Sequence, residues 1–236
     1  MYNFFRKIFK TNKKLTPKDI SFLSIYNNTG VSKLFEAISN FNNTSELRYV
    51  GGCVRKILNQ EDVDDIDLAV NLNPTQIKDC LQSNSIKFFE TGIKHGTITA
   101  NIRQKNFEIT SLREDVDTDG RHAKVKYTTD WLKDSSRRDF TINSIYADKD
   151  GNLFDPNGGV KHLEESKVIF IGNADKRIQE DYLRILRDIR FFINYSNHPH
   201  NITDKKSIKQ SIAGVANLSK ERLMSELKKI ILSKNF

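Results

Sequence analysis

Apolar residues recur every three to four positions from Val31 to Phe41, where Val31, Leu34, Phe35, Ile38 and Phe41 fall near one face, and this period predicts an amphipathic helix. The pattern then changes. Arg48-Tyr49-Val50 runs into Gly51-Gly52-Cys53-Val54-Arg55, and Val63-Asp64-Asp65-Ile66-Asp67-Leu68-Ala69-Val70 follows, which reads as strand, glycine turn, helix start and second strand. Pro74 opens a further helix with Ile77, Cys80 and Leu81 as its apolar stripe. Thr97 to Ile102 and Asn106 to Leu112 alternate around Gln104-Lys105, predicting a hairpin that extends the sheet. Residues 115–130 break the pattern: they are charged, contain Asp119-Gly120-Arg121 and lack a continuous apolar stripe, so a mobile loop is expected there. Beyond it lie Ser136 to Ala147, a turn at Asp155-Pro156-Asn157-Gly158-Gly159 and a short strand from Val168 to Ile171. From Asp175 only helical periods remain, over 175–194, 204–213 and 219–232. The expected organisation is a mixed α/β domain over 1–172 and a helical one over 173–236, divided near Gly172-Asn173.

Composition changes this picture in three ways. A chain of 236 residues with 37% hydrophobic and 29% charged content can bury one good core or two small ones. The formal net charge of +8 and a pI near 9.3 point to a polyanionic partner, because clustered Lys and Arg neutralise phosphates. Cys53 and Cys80 have no metal-ligand spacing, which fits a reduced, intracellular setting, and no apolar run is long enough to cross a bilayer. Residues 1–15 form a basic arm: Arg6, Lys7, Lys10, Lys13 and Lys14 are interleaved with Phe4, Phe5, Ile8 and Phe9 and no acidic residue. That pattern fits an organelle-targeting helix, an RNA-contacting arm or a plain amphipathic start.

The candidate chemistry sits at the glycine turn and the strand after it. Adjacent glycines let backbone amides approach a phosphate closely, and a helix N-terminus beyond them adds partial positive charge. Asp65 and Asp67 are two apart, so on a strand they leave the same face. Two such carboxylates repel unless a cation lies between them, and Mg²⁺ favours carboxylate and phosphate oxygens. Metal-assisted nucleotidyl transfer is the reaction these groups support. Taken singly, a Gly-Gly pair is ordinarily a turn and Asp-x-Asp a solvated surface; their order inside apolar strands is what carries the reading.

A second cluster places Asp181, Arg184, Arg187 and Arg190 three apart as a drifting polar ridge on a helix. Its structural reading is a salt-bridged surface. Its functional reading is an Asp acceptor and an Arg fork matched to a nucleobase edge. Arg138-Asp139 is likewise an ion pair, or a phosphate and ribose clamp facing the glycine turn. The lone His95 reads as a structural histidine.

In order, Gly51-Gly52-x-Val54-Arg55, Asp65-x-Asp67, Lys94-His95-Gly96-Thr97, Arg137-Arg138-Asp139-Phe140-Thr141-Ile142-Asn143, Asp155-Pro156-x-Gly158-Gly159, Glu180-Asp181-x-x-Arg184 and Glu221-Arg222-x-x-x-Glu226 resemble the class II tRNA nucleotidyltransferases, the CCA-adding enzymes and their bacterial poly(A) polymerase relatives. The resemblance spans nearly all of the chain after residue 48. It implies an α+β fold, with a nucleotidyltransferase-type mixed β-sheet head followed by an all-helical neck, and a chain shortened at its C-terminus relative to family members with body and tail domains. It further implies that Asp65 and Asp67 hold catalytic Mg²⁺, and that Gly51, Gly52 and Arg55 contact the triphosphate. Arg138, Asp139 and Asn143 then lie near phosphate and ribose. Asp181 and Arg184 pair with CTP or ATP in place of a nucleic-acid template, supported by Arg187 and Arg190. The partner implied is the tRNA 3′ end, in the cytoplasm, or in the mitochondrial matrix for a eukaryotic source; no membrane partner is expected, and the residues leave the oligomeric state open. The loop holding Asp119-Gly120-Arg121 resembles the family's flexible loop for changing from C to A addition. Lys56 stands where the family has Asp, which removes a favourable helix-dipole interaction but no metal ligand.

The leading expectation is template-independent addition of CCA from CTP and ATP. An A-adding enzyme that completes CC ends, a poly(A) polymerase, and a non-catalytic RNA-binding remnant are the alternatives; Ile109-Thr110-Ser111-Leu112-Arg113 favours the CCA branch over the poly(A) one.

Overall fold

The computed structural model describes residues 15–118, 123–233 and 235. Most of the basic arm and Asp119-Gly120-Arg121 lie outside the described residues.

Local signals start each element. Helix α1 (Pro17–Asn28) opens on a capping box in which Thr16 accepts from the Asp19 amide and Asp19 accepts from the Thr16 amide. Helix α2 (Ser32–Ser39) carries the apolar stripe read from the sequence and buries Leu34, Phe35, Ala37 and Ile38. Strand β1 (Leu47–Val50) then leads through Gly51 into α3 (Gly52–Leu58) and on to β2 (Asp67–Val70). Helix α4 (Pro74–Ser83) begins at Asn73, which forms a second capping box with Gln76.

Strand β3 (Lys87–Gly92) pairs with β4 (Thr97–Ile102), and β4 pairs with β5 (Lys105–Ser111). Arg103 and Gln104 both have positive φ at the β4–β5 turn, the geometry that matches the right-handed twist of a two-residue hairpin. Strands β8 (Tyr146–Ala147) and β9 (Leu153–Phe154) complete a seven-stranded sheet in the order β3-β4-β5-β2-β1-β8-β9. Only the β2–β5 pair is parallel, so the sheet is mixed, as expected.

The two faces of this sheet differ. Leu47, Tyr49, Leu68 and Val70 enter the main core with Phe22, Leu34, Ile38, Val54, Ile77 and Leu81 from the helices. Because side chains alternate along a strand, Asp67 and Ala69 take the other face, where only Val50, Ala69, Leu112 and Tyr146 form a small buried cluster. That thinly covered face carries Asp67 and its strand neighbour Glu108.

Three expectations are corrected. Strands β6 (Arg113–Thr118) and β7 (Ala123–Tyr127) pair as an antiparallel ribbon within the span where a mobile loop was expected. Such a ribbon is held by backbone hydrogen bonds and needs no apolar stripe, which is why the charge pattern concealed it. The strand expected over Val168 to Ile171 reduces to one bridge between Phe140 and Phe170, flanked by Thr141 N donating to Ile169 O and Ile171 N donating to Asp139 O. The helix expected over 175–194 is two, α7 (Ala174–Glu180) and α8 (Leu183–Tyr195). Asp181 is extended at the break, and its carboxylate accepts from the Leu183 amide, a local bond that competes with helix continuation.

Between the hairpin and α7 lie α5 (Trp131–Ser136) and α6 (Gly159–Glu164), neither of which was read from the sequence. Gly159 belongs there because a Cβ would meet the Thr141 carbonyl oxygen at 2.2 Å. A second core of Phe140, Ile142, Leu163, Phe170, Ile178, Ile185 and Phe191 joins this region to α8. Helices α9 (Ile202–Ser211) and α10 (Lys220–Ile231) end the fold, with α9 packed on α7 and α10 on α8.

Candidate active site

The glycine turn and the carboxylates converge on the thin face. Gly51 has φ +67 and ψ −118, a conformation that a side chain would strain, and it is the residue preceding α3. A Cβ placed on Gly52 would lie 3.9 Å from Asp67 Oδ2, so the turn sits directly beside the carboxylate. Asp67 is the first residue of β2 and half-buried; Asp65 lies in the irregular segment before the strand and is exposed, rather than in the strand as expected.

Glu108, which the sequence reading missed, is the residue opposite Asp67 across the parallel β2–β5 pair. Its signal was present as an outward position within an alternating strand. Burial raises the Asp67 carboxyl above its ordinary value, and the Glu108 and Asp65 carboxylates raise it further, against the opposing pull of Arg138 and Arg55. Negative charge held so close together fits a divalent cation. Among the described residues no three acidic, His or Cys side chains gather tightly enough to enclose an ion alone.

Beneath the turn, Cys53 Sγ donates to Val50 O and Asp67 O, and burial, then Asp67, pushes its thiol up to about 11, which makes it a packing group and no nucleophile. Lys56 sits in the second turn of α3 and pairs with Asp64 at 2.6 Å. It therefore meets the helix dipole near its negative end, a correction to the loss expected at the helix start.

Arg138 and Asp139 are adjacent but take different partners. Arg138 Nη2 pairs with Asp134 Oδ2 at 3.1 Å, its Nε lies 3.0 Å from the Tyr146 hydroxyl, and its Nη1 is 3.7 Å from where a Cβ on Gly51 would be. Its guanidinium thus faces the glycine turn. Asp139 is buried, accepting from the Phe140 amide at 2.8 Å, Asn143 Nδ2 at 3.0 Å and Arg187 Nε at 2.6 Å. Burial would raise the Asp139 carboxyl, but Arg187 and the two other donors outweigh it and hold it below its usual value. In this arrangement Asp139 fastens α8 to the region below the sheet.

Arg55 is 6% exposed, bonded to Asn143, with its guanidinium 4.8 Å from the ring centres of both Phe191 and Tyr195. It stacks on the aromatic face of α8, and its Nη2 lies 4.0 Å from where a Cβ on Gly52 would be, so it also borders the turn. Asp181 accepts from Leu183 N at 3.1 Å and from Arg222 Nη2 at 2.7 Å. Arg184 is held by Glu180, by Arg177 O at 2.6 Å and by Arg137 O at 3.3 Å. Arg190 pairs with the buried Glu226 at 2.6 Å. The ridge read along one helix is therefore anchored to three different elements.

A sheet of this topology with a glycine turn beside paired carboxylates can be compared with known proteins. Residues 47–169 match the poly A polymerase head domain. The chain belongs to the poly A polymerase head-domain family. It is 50% identical over 190 residues to the mitochondrial CCA tRNA nucleotidyltransferase 1 of Homo sapiens, covering 79% of this chain and 44% of that protein. It is 34% identical over 194 residues to the CCA-adding enzyme of Staphylococcus haemolyticus, covering 80% of this chain and 47% of that protein. Its fold matches the crystal structure of the Bacillus stearothermophilus CCA-adding enzyme in complex with CTP, with a TM-score of 0.75 and 27% identity over 86% of this chain and 49% of that one. The chain thus spans less than half the length of these relatives. Nucleotidyltransferases of this family generally use a divalent metal. No helix among the described residues is long and apolar enough to cross a membrane.

Proposed function

We propose that this poly A polymerase head-domain member is a template-independent RNA nucleotidyltransferase that adds CCA to tRNA 3′ ends from CTP and ATP. The observation that carries the reading is the glycine turn of Gly51 and Gly52, with Asp67 Oδ2 beside it and Arg138 facing it. The naming of the relatives, one of them bound to CTP, supports the choice of substrates.

In this reading the head spans 1–172 and the neck 173–236. Asp65 and Asp67 hold Mg²⁺, which when bound would favour ionisation of the tRNA 3′ hydroxyl and stabilise the pyrophosphate leaving group. The Gly51 and Gly52 backbone admits the triphosphate, and Arg138 supplies fixed positive charge to it. Asp181 and Arg184 read the base edge. Arg187 and Arg190 hold the reading helix through Asp139 and Glu226. Arg55, whose Nη2 borders Gly52, contacts the triphosphate, and Asp139 and Asn143, joined to it as a buried network, lie near phosphate and ribose. The setting is cytoplasmic, or mitochondrial as in the name of the Homo sapiens relative.

The test is nucleotide incorporation with Mg²⁺ on tRNAs ending at the discriminator base or after C, CC or CCA, each supplied with CTP, ATP or both. Ordered growth that halts at CCA is expected. Addition only of A to CC ends would make it an A-adding enzyme, and long A tails a poly(A) polymerase. No incorporation would leave an RNA-binding remnant.

A further inference from the structure

One buried group outside the assigned site holds more hydrogen bonds than any residue within it. Asp134, in α5, is 1% exposed. Its Oδ1 accepts from the Arg113 amide at 3.2 Å and from Arg137 Nε and Nη2 at 3.0 and 2.8 Å. Its Oδ2 accepts from Arg138 Nε and Nη2 at 3.3 and 3.1 Å and from the Tyr146 hydroxyl at 2.6 Å. Arg137 Nε also donates to the Arg113 carbonyl at 3.0 Å, so both backbone groups of the first residue of β6 are held by this cluster.

The two carboxylate oxygens therefore serve different neighbours. One fixes the root of the β6–β7 ribbon, and the other fixes the guanidinium that faces the glycine turn. Arg138 is bound on its Nε and Nη2 edge, which leaves its Nη1 directed at Gly51. Trp131, three residues before Asp134, packs edge-on against Tyr146 at 5.4 Å and carries Arg48 over its ring at 4.1 Å, so the hydroxyl donor is itself braced. Asp134 leaves the Nη1 edge of Arg138 free of its own carboxylate, so that edge is available to a phosphate at the turn.

We propose that Asp134 is a positioning residue that presets Arg138 for the nucleotide phosphates and couples that setting to the root of the β6–β7 ribbon. This rests on the proposed placement of phosphate at the glycine turn. A carboxylate is needed because an amide offers one acceptor oxygen, so Asn at this position must abandon either the ribbon root or Arg138. The helical spacing of Asp134 to Arg137 and Arg138 was visible in the sequence, but the burial that makes it a hub was not.

The experiment is a double-mutant cycle on incorporation kinetics, with amide hydrogen exchange alongside. Arg138→Ala and Asp134→Asn should each raise KM for both CTP and ATP roughly ten- to hundredfold, the scale of a lost charge-assisted bond. In the Arg138→Ala background, Asp134→Asn should add no more than about twofold, because its route to the nucleotide is already cut. Exchange in 113–118 and 123–127 should slow when ATP is added to the parent protein, and this response should vanish in Asp134→Asn. If Asp134→Asn fails to fold, Tyr146→Phe removes one donor from Oδ2 and should raise KM severalfold by the same route. An effect of Asp134→Asn or Tyr146→Phe that multiplies fully with that of Arg138→Ala, or an unchanged exchange response to ATP, overturns the coupling. An unchanged KM in Arg138→Ala alone would instead sink the phosphate placement itself.

Discussion

Asp181 and Arg222 lie 41 positions apart in the chain, yet Arg222 Nη2 sits 2.7 Å from Asp181 Oδ2. The proposed base reader is thus oriented from α10 while its other oxygen accepts from the Leu183 amide. Both groups are partly exposed, so the pair contributes little to stability, on the order of 0–1 kcal/mol. Its consequence is orientation. Asp181→Ala combined with Arg184→Ala is expected to relax nucleotide choice, and Arg222→Ala to relax it less, because Leu183 still holds Oδ1. Incorporation of GTP and UTP relative to CTP and ATP measures this; unchanged discrimination in the double variant removes Asp181 and Arg184 as base readers.

Asp65→Ala or Asp67→Ala is expected to abolish incorporation while leaving the thermal unfolding midpoint intact. For Asp67 the direction can be sharpened. Its carboxyl is raised by burial and by Glu108 and Asp65, so above its unfolded value of 3.8 ionisation penalises the folded state, fully once pH exceeds the folded value. Asp67→Asn should therefore melt no lower than the parent protein at neutral pH. Incorporation that persists in either alanine variant would dismiss the metal assignment.

A pH titration of Asp67 followed by NMR in metal-free protein should show a midpoint above 3.8, and Glu108→Gln should move it down by removing a neighbouring carboxylate. No movement would mean that Glu108 does not act on Asp67.

Asp139 behaves oppositely. Its carboxyl is held low despite burial, chiefly by Arg187, so the stability it contributes is present above the unfolded value of 3.8 and is lost as pH falls through the lower folded value. Asp139→Ala should cost on the order of 3–5 kcal/mol at pH 7, since it strands Arg187 beside a buried site. The cost should shrink in strong acid. Denaturant unfolding of both proteins at pH 7 and pH 3 checks the difference.

Removing residues 115–127 excises most of the β6–β7 ribbon. Addition of C is expected to survive and addition of A to CC-ended tRNA to fall. Equal loss of both would reduce the ribbon to a structural element.

The strand–turn–helix around Gly51-Gly52, the helix opening at Pro74 and the β4–β5 hairpin were legible because each depends on neighbours within a few residues: alternation, a glycine turn, or a helix start, whereas α1 was not read although Thr16 and Asp19 cap it. The same local logic found Asp65 and Asp67. It missed the β6–β7 ribbon, whose pairing is a backbone matter that side-chain pattern does not report. It also misjudged Arg138-Asp139 as one unit. Arg138 bonds to Asp134 and Asp139 to Arg187, which is 48 residues away from it.

The sequence by itself determined the alternation of the first strands, the helix opening at Pro74 and the presence of a glycine turn followed by two carboxylates. Only the tertiary structure decided which arginine answers which carboxylate, that Arg55 is buried against Phe191 and Tyr195, and that Glu108 stands beside Asp67. The reason is physical. Backbone conformation is settled by short-range sterics and hydrogen bonds, whereas long charged side chains have many partners within reach, and the choice among them falls to burial, which exists only once distant segments have packed.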